Sequence, residues 1–234
     1  MLLADAASVP ANPWVSWTYV QNNSEEIARA LGQHVSMTLQ AVLVALVIAI
    51  PLALAARFRP RLAGAILGTT AVLYTIPSLA LFILLVPFTG ASRTTVVIGL
   101  VLYALLLLVR NILAGLRDVP AELRDAARGQ GMDSRQLLLR VDAPLATPAV
   151  VTGLRLTTVS TIALVTVGVA VGHGGLGQLM FRGFASNYRA QVFTATALCL
   201  LLAFAADLLL WLLGRALTPW TRSRSGPVRQ AVAA

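Results

Sequence analysis

Apolar residues gather into five long runs separated by short polar or basic breaks: Val35 to Ala56, Ala63 to Pro87, Thr94 to Leu116, Ala149 to Val171 and Gln191 to Gly214. Each reaches the roughly 20 residues that a helix needs to cross the hydrocarbon of a bilayer. The pattern predicts an all-α integral membrane protein with five spanning helices. Two of the runs carry internal prolines, Pro51 in the first and Pro77 within TIPS (Thr75 to Ser78) in the second. A proline removes a backbone donor, so a kink or break is expected there, tolerated where a neighbouring group meets the freed carbonyl.

Between the third and fourth runs the pattern changes. The stretch DVPAELRDAARGQGMDSRQLLLRVDAPLATP is polar, and five arginines and five acids fall between Arg117 and Asp142. Pro120 suits a first helical turn, Glu122 and Asp125 suit its positive end, and Gly129 and Gly131 close it. A second helix is expected to start at Asp133 as cap and to stop before Pro144. Ala126 and Ala127 leave a patch almost free of side chains, rimmed by charge, which another protein could approach closely. Farther on, GHGGLG (Gly172 to Gly177) is expected to end the fourth run in a tight turn.

Composition agrees with a membrane chain: 58% of the 234 residues are hydrophobic and 12% charged, with a mean hydropathy of +0.80. The net charge of +9 comes entirely from arginine, since the chain has no lysine. If residues 1–34 lie outside, only Arg29, Arg93, Arg182 and Arg189 of the eighteen arginines face the exterior. Retention of basic residues on the cytoplasmic side therefore places the N-terminus outside and the C-terminus inside. The same distribution makes nucleic-acid binding unnecessary as an account of the charge. It also divides the chain into an extracytoplasmic segment 1–34, a transmembrane domain 35–215 with a cytoplasmic loop 117–147, and a cytoplasmic tail 216–234 expected to be disordered.

The N-terminal segment lacks the basic start and apolar core of a cleaved signal. Its Trp14, Trp17 and Tyr19 are types that settle at the headgroup level. NSEEIARALG reads as a short amphipathic surface helix with Asn23 as cap and Glu26 three residues on. A lone cysteine, Cys199, and two distant histidines, His34 and His173, give no metal-ligand spacing. Without a lysine there is no phosphate-binding P-loop, so no cofactor is expected on this chain.

Three further groups of residues are candidates for chemistry. Tyr74, Thr75, Pro77 and Ser78 at the proline break, with Thr158 and Thr161 from the hydroxyl-rich fourth run, are candidates for lining a conduit, although such hydroxyls also serve helix packing. Asp207 stands about 10 Å inside the last run. A carboxylate there is costly, and a structural partner such as Arg110 or Arg155 is expected.

The polar stretch resembles the E-A-A-x3-G-x9-I-x-L-P loop of permease subunits in binding-protein-dependent ABC importers. The matching positions are Asp125, Ala126, Ala127, Gly131, Val141 and Pro144, with every spacing kept, Asp in place of the first Glu and Ala143 in place of leucine. TIPSLALFILLVP, LYALLLLVRNILAGL, DAARGQGM, GHGGLGQLMFRG and Asp207 within AFAADLLLWLL are similar to permeases for glycine betaine, choline, carnitine and related osmoprotectants. The resemblance covers about residues 20 to 215. It implies the five-helix, MetI-like fold of type I ABC importers in a bacterial cell membrane, and no enzymatic activity in this chain. The partners it implies are a cytoplasmic ATPase dimer that holds ATP and Mg, a second permease copy or paralogue, and an extracytoplasmic substrate-binding protein. Glu122, Asp125, Ala126, Ala127, Gly131, Val141 and Pro144 would then couple to the ATPase, and the conduit would carry a quaternary ammonium solute. Permeases for other small solutes, such as methionine, share the loop motif, and a non-transporting scaffold remains an alternative reading.

Overall fold

The computed structural model describes residues 12–220, and all regular structure in them is helical. A short α1 (Trp17–Asn22) precedes α2 (Ser24–Phe58), α3 (Pro60–Thr75), α4 (Ser78–Thr89) and α5 (Arg93–Arg117). After a polar segment holding α6 (Ala121–Gly129) and α7 (Ser134–Leu137) come α8 (Ala143–Val165), α9 (Leu176–Ala185) and α10 (Arg189–Leu217). Four helical stretches are long and apolar enough to cross a membrane: α2, α5, the rod Ser134–Val171 and α10. The second apolar run is two helices, α3 and α4, bent by 99° at Ile76 and Pro77, so the described residues hold four straight candidate crossings and one bent pair, a broken span or a re-entrant loop. Pro77 cannot continue the hydrogen-bond ladder of α3, and the Tyr103 hydroxyl of α5 donates to the Ile76 carbonyl at the break.

The core lies where α2, α5 and α8 meet. Along α2, Met37, Ala41, Ala45, Ala49 and Ala53 recur every fourth residue and are all fully buried. Residues four apart share one helix face, and a stripe of alanines lets a second backbone come close. On the opposing side α5 meets α8 through Gly115, where an added Cβ would stand 2.6 Å from the Ala149 Cβ and 3.0 Å from the Ala146 carbonyl oxygen. Gly115→Val is expected to push these helices apart at a cost of about 1–3 kcal/mol, read as a lower midpoint of thermal unfolding in detergent. Gly64→Ala, where an added Cβ meets nothing within 4 Å, is the control that keeps or raises the midpoint.

At the other end of α2 a second, smaller core joins Tyr19, Ile27 and Ala30 to Leu176, Leu179 and Ala190. Beside it His34 is fully buried; its Nε2 donates to the Ile162 carbonyl at 3.0 Å while Nδ1 accepts from the Leu176 N–H at 3.3 Å. The turn at Gly172 to Gly177 is thereby fastened to α2 and α8, with left-handed glycines at 172 and 175.

Several expectations are corrected here. NSEEIARALG is not a separate surface helix: it is the first part of the 35-residue α2. Asn23 occupies the cap position, but its side chain donates to the Tyr19 carbonyl at 2.8 Å and caps nothing. Tyr19 is buried, edge-on to Tyr188 at 5.2 Å, and burial pushes its phenol up, with Glu26 acting in the same sense. Trp14 and Trp17 are exposed. Residues 216 and 217 belong to α10, whereas the expected absence of a signal in the first residues and the disorder of 221–234 lie outside the described residues.

Candidate functional site

The polar segment between α5 and α8 is an ordered unit. Pro120 leads into α6, Glu122 lies in its first turn, and the helix ends in a Schellman arrangement. Gly131 N–H donates to the Arg128 carbonyl at 2.9 Å, and Met132 N–H reaches the Ala127 carbonyl at 3.2 Å. Gly131 has φ +82°, a left-handed conformation that costs other residues about 1–2 kcal/mol. Two residues later Asp133 opens α7 with a reciprocal capping box, accepting from Gln136 N–H at 2.7 Å while the Gln136 side chain accepts from Asp133 N–H at 3.2 Å.

The helix that begins at Asp133 does not stop before Pro144. It widens into a π-helical turn, Leu138–Asp142, and continues directly into α8. Proline offers no N–H to the carbonyl four residues back and its ring crowds that carbonyl, and a wider turn at this point relieves both. The second half of the polar segment and a spanning helix are thus one rod.

Arg124 fastens α6 to the bundle. Its Nε donates to Asp142 Oδ1 at 2.7 Å and its Nη2 to the Leu116 carbonyl in the last turn of α5. Both charged side chains are enclosed, 12% and 6% exposed. One guanidinium therefore joins the end of α5, the middle of α6 and the root of α8. Neither residue stood out among the candidates. The signal available in the sequence was an acid at 142, set in LLLRVDAPLA where it needs a partner.

The two alanines have different settings. Ala126 is exposed, whereas Ala127 is buried beneath α6, which corrects the expectation of one smooth two-alanine patch. Asp125 is exposed and pairs with Arg128 at 2.9 Å on the same helix. A shallow groove brings Ala126, Ala127, Val141 and Pro144 together with Met132 and Trp220. Glu122 is exposed on α6 outside that groove, and Gly131 forms the turn beside it.

The residues considered for a conduit separate into two sets. Tyr74, Thr75, Pro77 and Ser78 stand at the α3–α4 break, with Tyr74 exposed and edge-on to Tyr103 at 5.4 Å. Thr158 and Thr161 are buried inside the subunit, and the Thr158 hydroxyl donates to the Leu154 carbonyl at 2.8 Å. Neither residue reaches an open surface of this subunit. Asp207 of α10 is held by Arg155 of α8 through two bonds, 2.8 and 2.7 Å, a bidentate pair between spanning helices. Among the described residues no group of three His, Cys, Asp or Glu could hold a metal ion.

Residues 34–223 match the model of the binding-protein-dependent transport system inner membrane component family. The chain belongs to that family. It is a membrane transport component, and the family consists of permease subunits rather than enzymes. The chain is 33% identical over 203 residues to the carnitine transport permease protein OpuCB of Listeria monocytogenes, covering 86% of this chain and 93% of that one. It is 35% identical over 211 residues to the choline transport system permease protein OpuBD of Bacillus subtilis (89% and 93% covered). It is 36% identical over 207 residues to the osmoprotectant import permease protein OsmW of Salmonella typhimurium (86% and 96%). In fold it is similar to a chain of the MetNI methionine ABC transporter in an inward facing conformation, with a TM-score of 0.75 at 21% identity over 85% of this chain and 99% of that one. A chain of an amino acid ABC transporter with histidines gives 0.72 at 19%, covering 86% and 99%. The fold of the chain is MetI-like.

Proposed function

We propose that this chain is the permease subunit of an ATP-driven importer for osmoprotectants, taking a quaternary ammonium solute such as glycine betaine, choline or carnitine. α6 is the docking helix for a separate cytoplasmic ATPase, which carries ATP and Mg, and the N-terminal end of α2 faces the exterior and a substrate-binding protein. Asp125 and Ala126 present the exposed face of α6, Glu122 extends it, and Val141 and Pro144 form the floor beside it. Ala127 and Gly131 hold the helix and its turn in shape. Two such chains, or this chain and a paralogue, enclose the conduit, to which Tyr74, Thr75, Pro77 and Ser78 contribute at the α3–α4 break.

The observation that carries this reading is the anchoring of α6. An exposed nine-residue helix on a mobile linker would dissipate a push, whereas one tied by Arg124 to α5 and α8 passes it to the spanning rods. The names of the relatives, for carnitine, choline and osmoprotectants, support the solute class. The test is uptake of radiolabelled glycine betaine and choline by vesicles holding this chain with its ATPase and binding protein. ATP-dependent accumulation of either is expected. Accumulation of methionine instead would overturn the solute class, and ATPase activity indifferent to the permease would overturn the coupling.

A further inference from the structure

On the side of the bundle below α6, an apolar groove runs between α2, α5 and the root of α8, lined by Ile50, Leu54, Ile112, Leu116, Leu139 and Ala146. Ile50, Leu54 and Arg57 fall four and three residues apart, so Arg57 follows the two groove residues on one face of α2. Arg57 is half-buried, its Nε is enclosed without a hydrogen-bond partner, and it forms no ion pair among the described residues. It lies in the field of Arg117, Arg124 and Arg128, and the single carboxylate acting on it is Asp142. Asp142 is already engaged by Arg124, and Arg128 by Asp125. Arg117, next to the groove residue Leu116, is exposed. Arg57 and Arg117 thus follow groove residues along α2 and α5, and neither forms an ion pair among the described residues.

We propose that this groove binds an anionic phospholipid from the leaflet at this end of the bundle, with the phosphate at Arg57 and Arg117 and an acyl chain along Ile50, Leu54 and Leu116. Ile50 lies seven residues before Arg57, so the apolar wall runs roughly 10 Å into the spanning part of α2. A carboxylate of a soluble partner would use the guanidinium and leave that wall bare. An amphiphile with a negative head matches both, as basic pockets between spanning helices do for anionic lipids. The inference rests on the membrane family and is independent of the solute.

The experiment titrates phosphatidylglycerol or phosphatidylcholine into the full-length chain in neutral detergent and follows thermal unfolding. Phosphatidylglycerol is expected to raise the midpoint by several degrees more than phosphatidylcholine. In Arg57→Gln/Arg117→Gln the apparent affinity for phosphatidylglycerol should fall at least tenfold while the lipid-free midpoint stays in place. Arg57→Lys/Arg117→Lys, which keeps the charge, should retain most of the response, and Leu54→Trp, which fills the groove, should lose it. Equal responses to the two lipids, or an undiminished response in the glutamine variant, overturn the proposal. So does a matching shift from inorganic phosphate or glycerol phosphate, which would make the arginines a site for free phosphate. If the glutamine variant melts at a lower temperature without lipid, the Leu54→Trp arm decides, and a full response there overturns the proposal.

Discussion

Asp142→Ala is expected to lower the stability of the folded chain by about 3–5 kcal/mol and to abolish coupled transport. The carboxylate and the Arg124 guanidinium are both enclosed, so removing one leaves the other desolvated and unmatched. Removing both is different. Replacing a buried pair by apolar side chains of similar volume is often neutral or stabilising, so Arg124→Met/Asp142→Leu should recover most of the thermal midpoint. The double variant also loses the bond to the Leu116 carbonyl and with it the three-way fastening of α6. Its ATPase partner should still bind and hydrolyse, with little solute moved. A double variant that transports at the normal rate would reduce the pair to a stabilising contact.

The second large effect is expected at Ala126. Glutamate there lies on an exposed helix face, costs little in helix propensity and should leave folding and membrane insertion unchanged. Against a partner surface it buries an unmatched charge, a loss of about 2 kcal/mol or more, which is roughly thirtyfold or more in affinity. ATPase pull-down and solute uptake should fall together. Ala127→Glu is not an equivalent test, because Ala127 faces the bundle and its variant should fail at folding. Comparing the two by thermal unfolding separates docking from structure. An Ala126→Glu chain that retains uptake would place the ATPase contact elsewhere.

The spans and the polar segment were legible in the sequence because each rests on local physics. Apolar runs of more than twenty residues have one stable solution in a bilayer, and glycine at 131 and an Asp133–Gln136 box specify their turns without help from distant residues. The features that escaped depend on partners far along the chain. At Pro77 the sequence marked a kink or break, but not that the Tyr103 hydroxyl of α5 would meet the opened backbone at Ile76. His34 offered no ligand spacing because its partners are main-chain groups at 162 and 176. The hydroxyls of α8 could face a conduit or a neighbouring helix with equal composition, and only burial decided it. Glu26 stands at the spacing of a capping residue, yet it pairs with Arg182 of α9. The alanine stripe of α2 was present in the sequence at an even four-residue spacing, overlooked because small apolar residues raise no contrast within an apolar run.

α2 is 35 residues long, about 52 Å at 1.5 Å per residue, against hydrocarbon about 30 Å thick. About 20 Å of it therefore lies outside the hydrocarbon. The same rod is a post packed through alanines at one level and, at another, the stem of a small cap formed with α1 and α9. Such a post cannot shorten when the bilayer thins. It leans instead, and the cap fixed to its head leans with it.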